Sequence, residues 1–126
     1  MTNEETTAAP VIEGNEKVLL ERRGHVAIIT INRPEVRNAV NGDVAQGVEA
    51  AIDLLESDDD LWVAVPTGAR TEKGWIFSAG ADLKAMSTDP GAMMTDKGGF
   101  AGFAARERTK PVIAAVNGAA AGGGFG

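Results

Sequence analysis

Two short runs of small residues are the places where this sequence could do chemistry. The first is Phe77-Ser78-Ala79-Gly80-Ala81-Asp82-Leu83, and the second is Asn117-Gly118-Ala119-Ala120-Ala121-Gly122-Gly123-Gly124. Each follows a segment that reads as strand or loop, and each precedes a helix start. Small residues let the backbone approach a ligand closely. The first N–H groups of a helix have no intrahelical acceptor and can point at an oxyanion. Two such groups converging on one oxygen would stabilise an enolate or a tetrahedral intermediate. Loss of one donor of this kind typically costs about 3–4 kcal/mol of barrier. The plain alternative for either run alone is a turn that solves only a steric problem.

Composition narrows the choices. The chain has 126 residues, 44% of them apolar, enough for one domain with a core. Its formal net charge is −6 and its pI about 4.7, which argues against a nucleic-acid surface and a basic membrane patch. An anionic ligand stays possible, because backbone dipoles bind anions on acidic proteins too. With no cysteine, one histidine and no tyrosine, thiolate chemistry is excluded and few acid–base groups remain. No metal site is expected. Gly118 and Gly123 have phosphate-loop spacing, but Gly124 stands where lysine is required. A dinucleotide turn starting at Gly122 would need a glycine beyond Gly126. That reading stays open, but it gives no account of Ala79-Gly80.

The elements that must position these runs can be read in outline. Residues 1–15 are polar and acidic and are expected to be a disordered tail, with a domain over 16–126. The tail has no basic or apolar leader region, and no apolar run approaches the ~20 residues of a membrane span, so a cytoplasmic protein is expected. Lys17–Arg22 and His25–Asn32 read as strands joined at Arg23-Gly24. The second is apolar on both faces and should be central. Asn41 or Asp43 can cap a helix to about Ser57, with Val44, Val48, Ile52 and Leu55 on one face. Leu61–Val65 reads as a buried strand, residues 69–99 mostly as loop with a helical turn at Asp82–Met86, and Phe100–Arg108 as helix. Lys110-Pro111 introduces a last strand, Val112–Val116. Trp62 and Trp75 read as packing residues, His25 as solvated and Lys110 as a surface residue. Met86, Met93 and Met94 could line an apolar pocket or simply pack the loop. The strand–helix alternation suggests α/β with parallel content. The chain stops where a helix should open, which reads as truncation.

Four stretches together resemble the crotonase (enoyl-CoA hydratase/isomerase) family. They are Ala27–Ala39 with Thr30-Ile31-Asn32-Arg33-Pro34 and Arg37-Asn38-Ala39; Thr67-Gly68; Phe77–Leu83; and Lys110–Gly118 leading into Gly122-Gly123-Gly124. They cover residues 17–126 in family order. The resemblance implies a spiral of ββα units, cut before its later turns and C-terminal helices. It implies an acyl-CoA thioester as substrate, with coenzyme A part of that substrate and no separate cofactor. The backbone N–H groups of Ala79 and Gly123 would form the oxyanion hole. Arg37, Ala39, Ala79, Gly80, Ala81, Asp82, Leu83, Gly122 and Gly123 would contact substrate, Arg37 through a phosphate. Asp82 is also placed to cap the helix after it. A homo-oligomer, trimer or dimer of trimers, is implied for the full-length protein, with no nucleic-acid or membrane partner.

Two residues depart from the family pattern. Gly126 stands where hydratases carry a glutamate, and glycine cannot move a proton. Pro66 replaces an aliphatic residue and removes a ladder donor. Hydration of a 2-enoyl-CoA is the leading expectation for the full-length enzyme. Double-bond isomerisation, or acyl-CoA binding without catalysis, are the alternatives. The missing carboxylate favours the last for this chain alone.

Overall fold

The computed structural model of the chain describes residues 8–124. The first seven residues of the expected tail, and Phe125 and Gly126, lie outside them. A four-stranded sheet in the order β1-β2-β3-β4 forms one layer: β1 is Ala9–Ile12, β2 Asn15–Arg23, β3 Val26–Ile31 and β4 Val63–Gly68. Strand β3 is central as expected, antiparallel to β2 and parallel to β4. Strand β1 corrects the disordered-tail expectation for its residues. Pro10 and Ala9 pair with Leu19 and Leu20 of β2, and Val11 packs against the core. Three apolar residues, Pro10, Val11 and Ile12, were enough to add an edge strand.

Helix α1, Gly42–Ser57, covers one face of this sheet. The Asn41 side chain accepts the Val44 N–H at 3.1 Å, the interaction that starts an α-helix. Val44, Val48, Ile52 and Leu55 recur at helical spacing and all are buried, facing Val18, Ala27, Ile29 and Ile31. Gly47 permits this close approach: a Cβ there would lie 2.6 Å from the Val18 side chain. A cavity of about 650 Å3 remains between α1 and the sheet, lined by Ile29, Val48, Ile52, Val112, Gly123 and Gly124 among others.

Residues 69–99 carry more order than expected. Strands β5 (Arg70–Thr71) and β6 (Gly74–Ser78) form a hairpin, and helix α2 (Leu83–Thr88) follows. Short strands β7 (Met94–Thr95) and β8 (Gly99–Phe100) pair with each other. Phe100–Arg108 is not helical. It turns, with positive φ at Ala101 and Gly102 and with Arg106 bound to Asp53 of α1 at 2.8 Å. Tertiary contacts with α1 override its helical pattern. The expected strand 112–116 is reduced to one bridge, Val112 to Ala64. Ala64 N–H donates to Pro111 O, and Ile113 and Ala115 N–H donate to Ala64 O and Pro66 O. The missing rung is the one that needs an N–H at Pro66, so the proline explains the interruption.

Three side chains also depart from expectation. Trp62 is 59% exposed and stacks on His25, ring centroids 3.5 Å apart, while Trp75 is 51% exposed under the Arg70 guanidinium. Neither packs the core. Lys110 is not a free surface lysine: its Nζ donates to the carbonyls of Leu55, Asp58 and Leu61 at 2.6–2.8 Å. Met93 joins the core, whereas Met86 and Met94 are half exposed and none of the three lines the large cavity.

Candidate active site

The two small-residue runs meet. Strand β9, Ala119–Ala120, lies parallel to β6, pairing Ile76 with Ala119 and Ser78 with Ala120. Parallel neighbours end at the same edge, so the turns leaving β6 and β9 emerge side by side. The Ala121 N–H donates to Ser78 O at 3.1 Å and fastens them. Gly80 then adopts φ +92°, and a Cβ on it would lie 2.7 Å from Ala121 O and 2.8 Å from the Gly123 nitrogen. Only glycine allows this contact. The 3-10 turn Gly122–Gly124 follows, its Gly124 N–H bound to Ala121 O. The Gly123 N–H has no acceptor among the described residues.

Along the first run the backbone donors are assigned one by one. Ala79 N–H donates to Arg37 O at 3.1 Å, Gly80 N–H to Ser78 Oγ at 3.1 Å and Asp82 N–H to Val40 O at 2.8 Å. Ala81 N–H has no acceptor among the described residues. This corrects the expectation for Ala79: its N–H is already spent on structure, whereas the N–H of Ala81, the residue after Gly80, is left without an acceptor among the described residues.

Buried polar side chains hold the approach. Asn38 is fully buried at φ +56°. Its amide donates to Ala69 O and Ile76 O at 2.9 and 2.8 Å and accepts the Arg33 N–H at 3.0 Å. Ser78 Oγ donates to Asn38 O at 2.8 Å. Asp82 caps α2, its Oδ1 accepting Lys84 and Ala85 N–H, while Oδ2 accepts Arg33 Nη1 at 2.9 Å. The Ala85 N–H and the Arg33 guanidinium hold its carboxyl below the usual range. Asn38, Ser78 and Arg33 were not singled out from sequence. The signal available was Asn38 itself, since asparagine tolerates positive φ better than most residues.

The other predicted contacts divide. Gly80 is buried, Ala81 and Asp82 are half-buried, and Gly122, Gly123 and Leu83 are exposed beside the same edge, Leu83 by 79%. Ala39 is 7% exposed, with its N–H on Val36 O and its carbonyl on Arg33 Nη1, so it offers no unpaired donor. Arg37 reaches the first run through its carbonyl only. Its exposed side chain lines a different cleft of about 460 Å3, with Arg70, Lys73, Glu35 and Glu72. No group of three or more His, Asp or Glu side chains suited to a metal occurs among the described residues. None of their helices is long and apolar enough to cross a membrane.

The fold matches crotonase-type structures. A probable enoyl-CoA hydratase/isomerase from Mycobacterium abscessus superposes with a TM-score of 0.77 at 47% identity, over 86% of this chain and 40% of that one. A carnitinyl-CoA hydratase from Mycobacterium avium gives 0.71 at 44%, over 86% and 41%. The family model for enoyl-CoA hydratase/isomerase matches residues 21–126, and the chain belongs to that family. Enoyl-CoA hydratase EchA19 of Mycobacterium tuberculosis is 38% identical over 90% of this chain and 43% of its own length. The short-chain-enoyl-CoA hydratase of Clostridium acetobutylicum is 40% identical over 85% and 41%. The chain therefore spans about two fifths of the length of the relatives it matches.

Proposed function

We propose that this chain holds an acyl-CoA thioester with its carbonyl oxygen between the N–H groups of Ala81 and Gly123. The carrying observation is that β6 and β9 bring two turns together at Gly80, each with an unspent N–H. In the full-length protein the proposed reaction is hydration of a 2-enoyl-CoA. Water oxygen adds to C3, the electron pair moves onto the thioester oxygen as an enolate, and C2 then takes a proton. Two backbone donors aimed at that oxygen lower the barrier by stabilising charge as it develops. The water and proton steps need carboxylates, and Gly126 supplies none at the position where the family pattern has one.

The reaction adds no cofactor beyond the coenzyme A of its substrate. The cleft of Arg37, Arg70 and Lys73 suits a phosphate of that group, because guanidinium pairs bidentately with phosphate. A cytoplasmic homo-oligomer, trimer or dimer of trimers, acting in fatty-acid metabolism is the proposed setting, with no nucleic-acid or membrane partner. Isomerisation uses the same enolate site and is the second reading. The glycine at position 126 favours a third, thioester binding without turnover, for the chain by itself.

The test is loss of the conjugated thioester absorbance with crotonyl-CoA and longer 2-enoyl-CoAs. The full-length gene product is expected to hydrate them and the 126-residue chain to show little turnover. Full-length protein that binds coenzyme A yet hydrates none of them would sink the hydratase reading. Rapid turnover by this chain alone would overturn the role given to the missing carboxylate.

A further inference from the structure

Resting on the thioester reading above, we infer that Arg33 is a positioning residue that sets the direction of the Ala81 N–H through two consecutive peptide planes. In a trans peptide the C=O and the following N–H point in opposite directions. Arg33 Nη1 donates to Ala39 O at 3.0 Å, which fixes the plane carrying the Val40 N–H. The Val40 N–H donates to Gly80 O at 2.7 Å, which fixes the plane carrying the Ala81 N–H. With Gly80 O turned toward Val40, the Ala81 N–H must face away from it. The next plane is fixed as well, because Asp82 N–H donates to Val40 O at 2.8 Å.

The same Nη1 also donates to Asp82 Oδ2 at 2.9 Å, so one guanidinium ties the Ala39–Val40 segment to the run at Asp82. The pair is well shielded, with side-chain exposures of 12% for Arg33 and 15% for Asp82. Arg33 Nε is buried without an acceptor among the described residues. A polar group held there is costly, which fits a side chain kept for the geometry it imposes. Asp82, expected to touch substrate, has both oxygens engaged within the protein and belongs to the same tie.

The test follows the thioester carbonyl directly. Butyryl-CoA labelled with carbon-13 at the carbonyl is bound to wild type, Arg33→Met and Arg33→Lys, and the carbonyl stretch is read by difference infrared. Wild type is expected to lower the frequency relative to water. Arg33→Met is expected to lose at least half of that shift, and Arg33→Lys, which keeps a single charged donor, part of it. Affinity for the thioester should fall about tenfold in Arg33→Met, the size expected when one hydrogen bond to the bound carbonyl is weakened. Affinity for free coenzyme A should stay within about twofold, since its binding does not use that N–H. A folded Arg33→Met with the full shift overturns the inference; if that variant does not fold, the full shift in Arg33→Lys does so. No shift in wild type overturns the thioester reading itself, and this inference with it.

Discussion

At the residue scale, the backbone donors of Phe77–Leu83 are sorted by acceptors that lie elsewhere in the chain. Phe77–Leu83 reads correctly as a turn with donors to spare. Which donor is spare depends on parity along an extended backbone, and parity is set by neighbours distant in sequence. Arg37 O takes Ala79 N–H, Val40 O takes Asp82 N–H, and Ala81 is left between them. Spacing within the run contains no trace of those partners. Gly80, by contrast, was legible, because a small residue was needed wherever backbone had to approach closely. Gly80→Ala is expected to place L-residue geometry at φ +92°, costing about 1–2 kcal/mol or more. Its methyl group would also push Ala121 and Gly123 away. A denaturant melt should show the stability loss and a butyryl-CoA titration the loss of binding. Wild-type midpoint and affinity together would contradict the packing described for Gly80.

At the element scale, β4 runs Val63–Gly68 rather than the expected Leu61–Val65, while β2, β3 and α1 were readable because their patterns are local. Alternation, an Asn41 cap and a run of helical-spaced apolar residues suffice for them. The misread elements are those whose state is fixed by a partner. Pro10–Ile12 becomes strand because β2 offers an open edge. Phe100–Arg108 gives up helix to put Arg106 on Asp53. The segment 111–116 runs beside β4 but loses a rung at Pro66. Lys110 is the clearest case, for nothing local says that its ammonium will gather three carbonyls where α1 ends and β4 begins. Glu56 completes that junction by accepting the Thr109 hydroxyl and the Thr109 and Lys110 N–H groups, and the Thr109 hydroxyl is the foremost cause of its lowered pKa. Lys110→Met is expected to cost about 2 kcal/mol, as charged hydrogen bonds at a helix C-terminus are lost. Urea melting measures this, and a loss below about 0.5 kcal/mol, the range of ordinary surface substitutions, would contradict the anchoring role.

At the scale of the whole molecule, the candidate site belongs to no single segment. Gly80, the residue before Ala81, is brought against Gly123 by the parallel pairing of β6 with β9, and Asn38 and Arg33 brace the assembly from an earlier part of the chain. The family was legible because four motifs occurred in order; their convergence was not, because it is a property of the sheet. Amide NMR on the protein titrated with crotonyl-CoA, with free coenzyme A as control, tests that convergence most directly. The thioester is expected to move the Ala81 and Gly123 amide protons downfield beyond any change caused by coenzyme A, and to leave Ala79, bound to Arg37 O, nearly unmoved. Saturable binding that shifts Ala79 instead, or that leaves Ala81 and Gly123 unchanged, would contradict the oxyanion site.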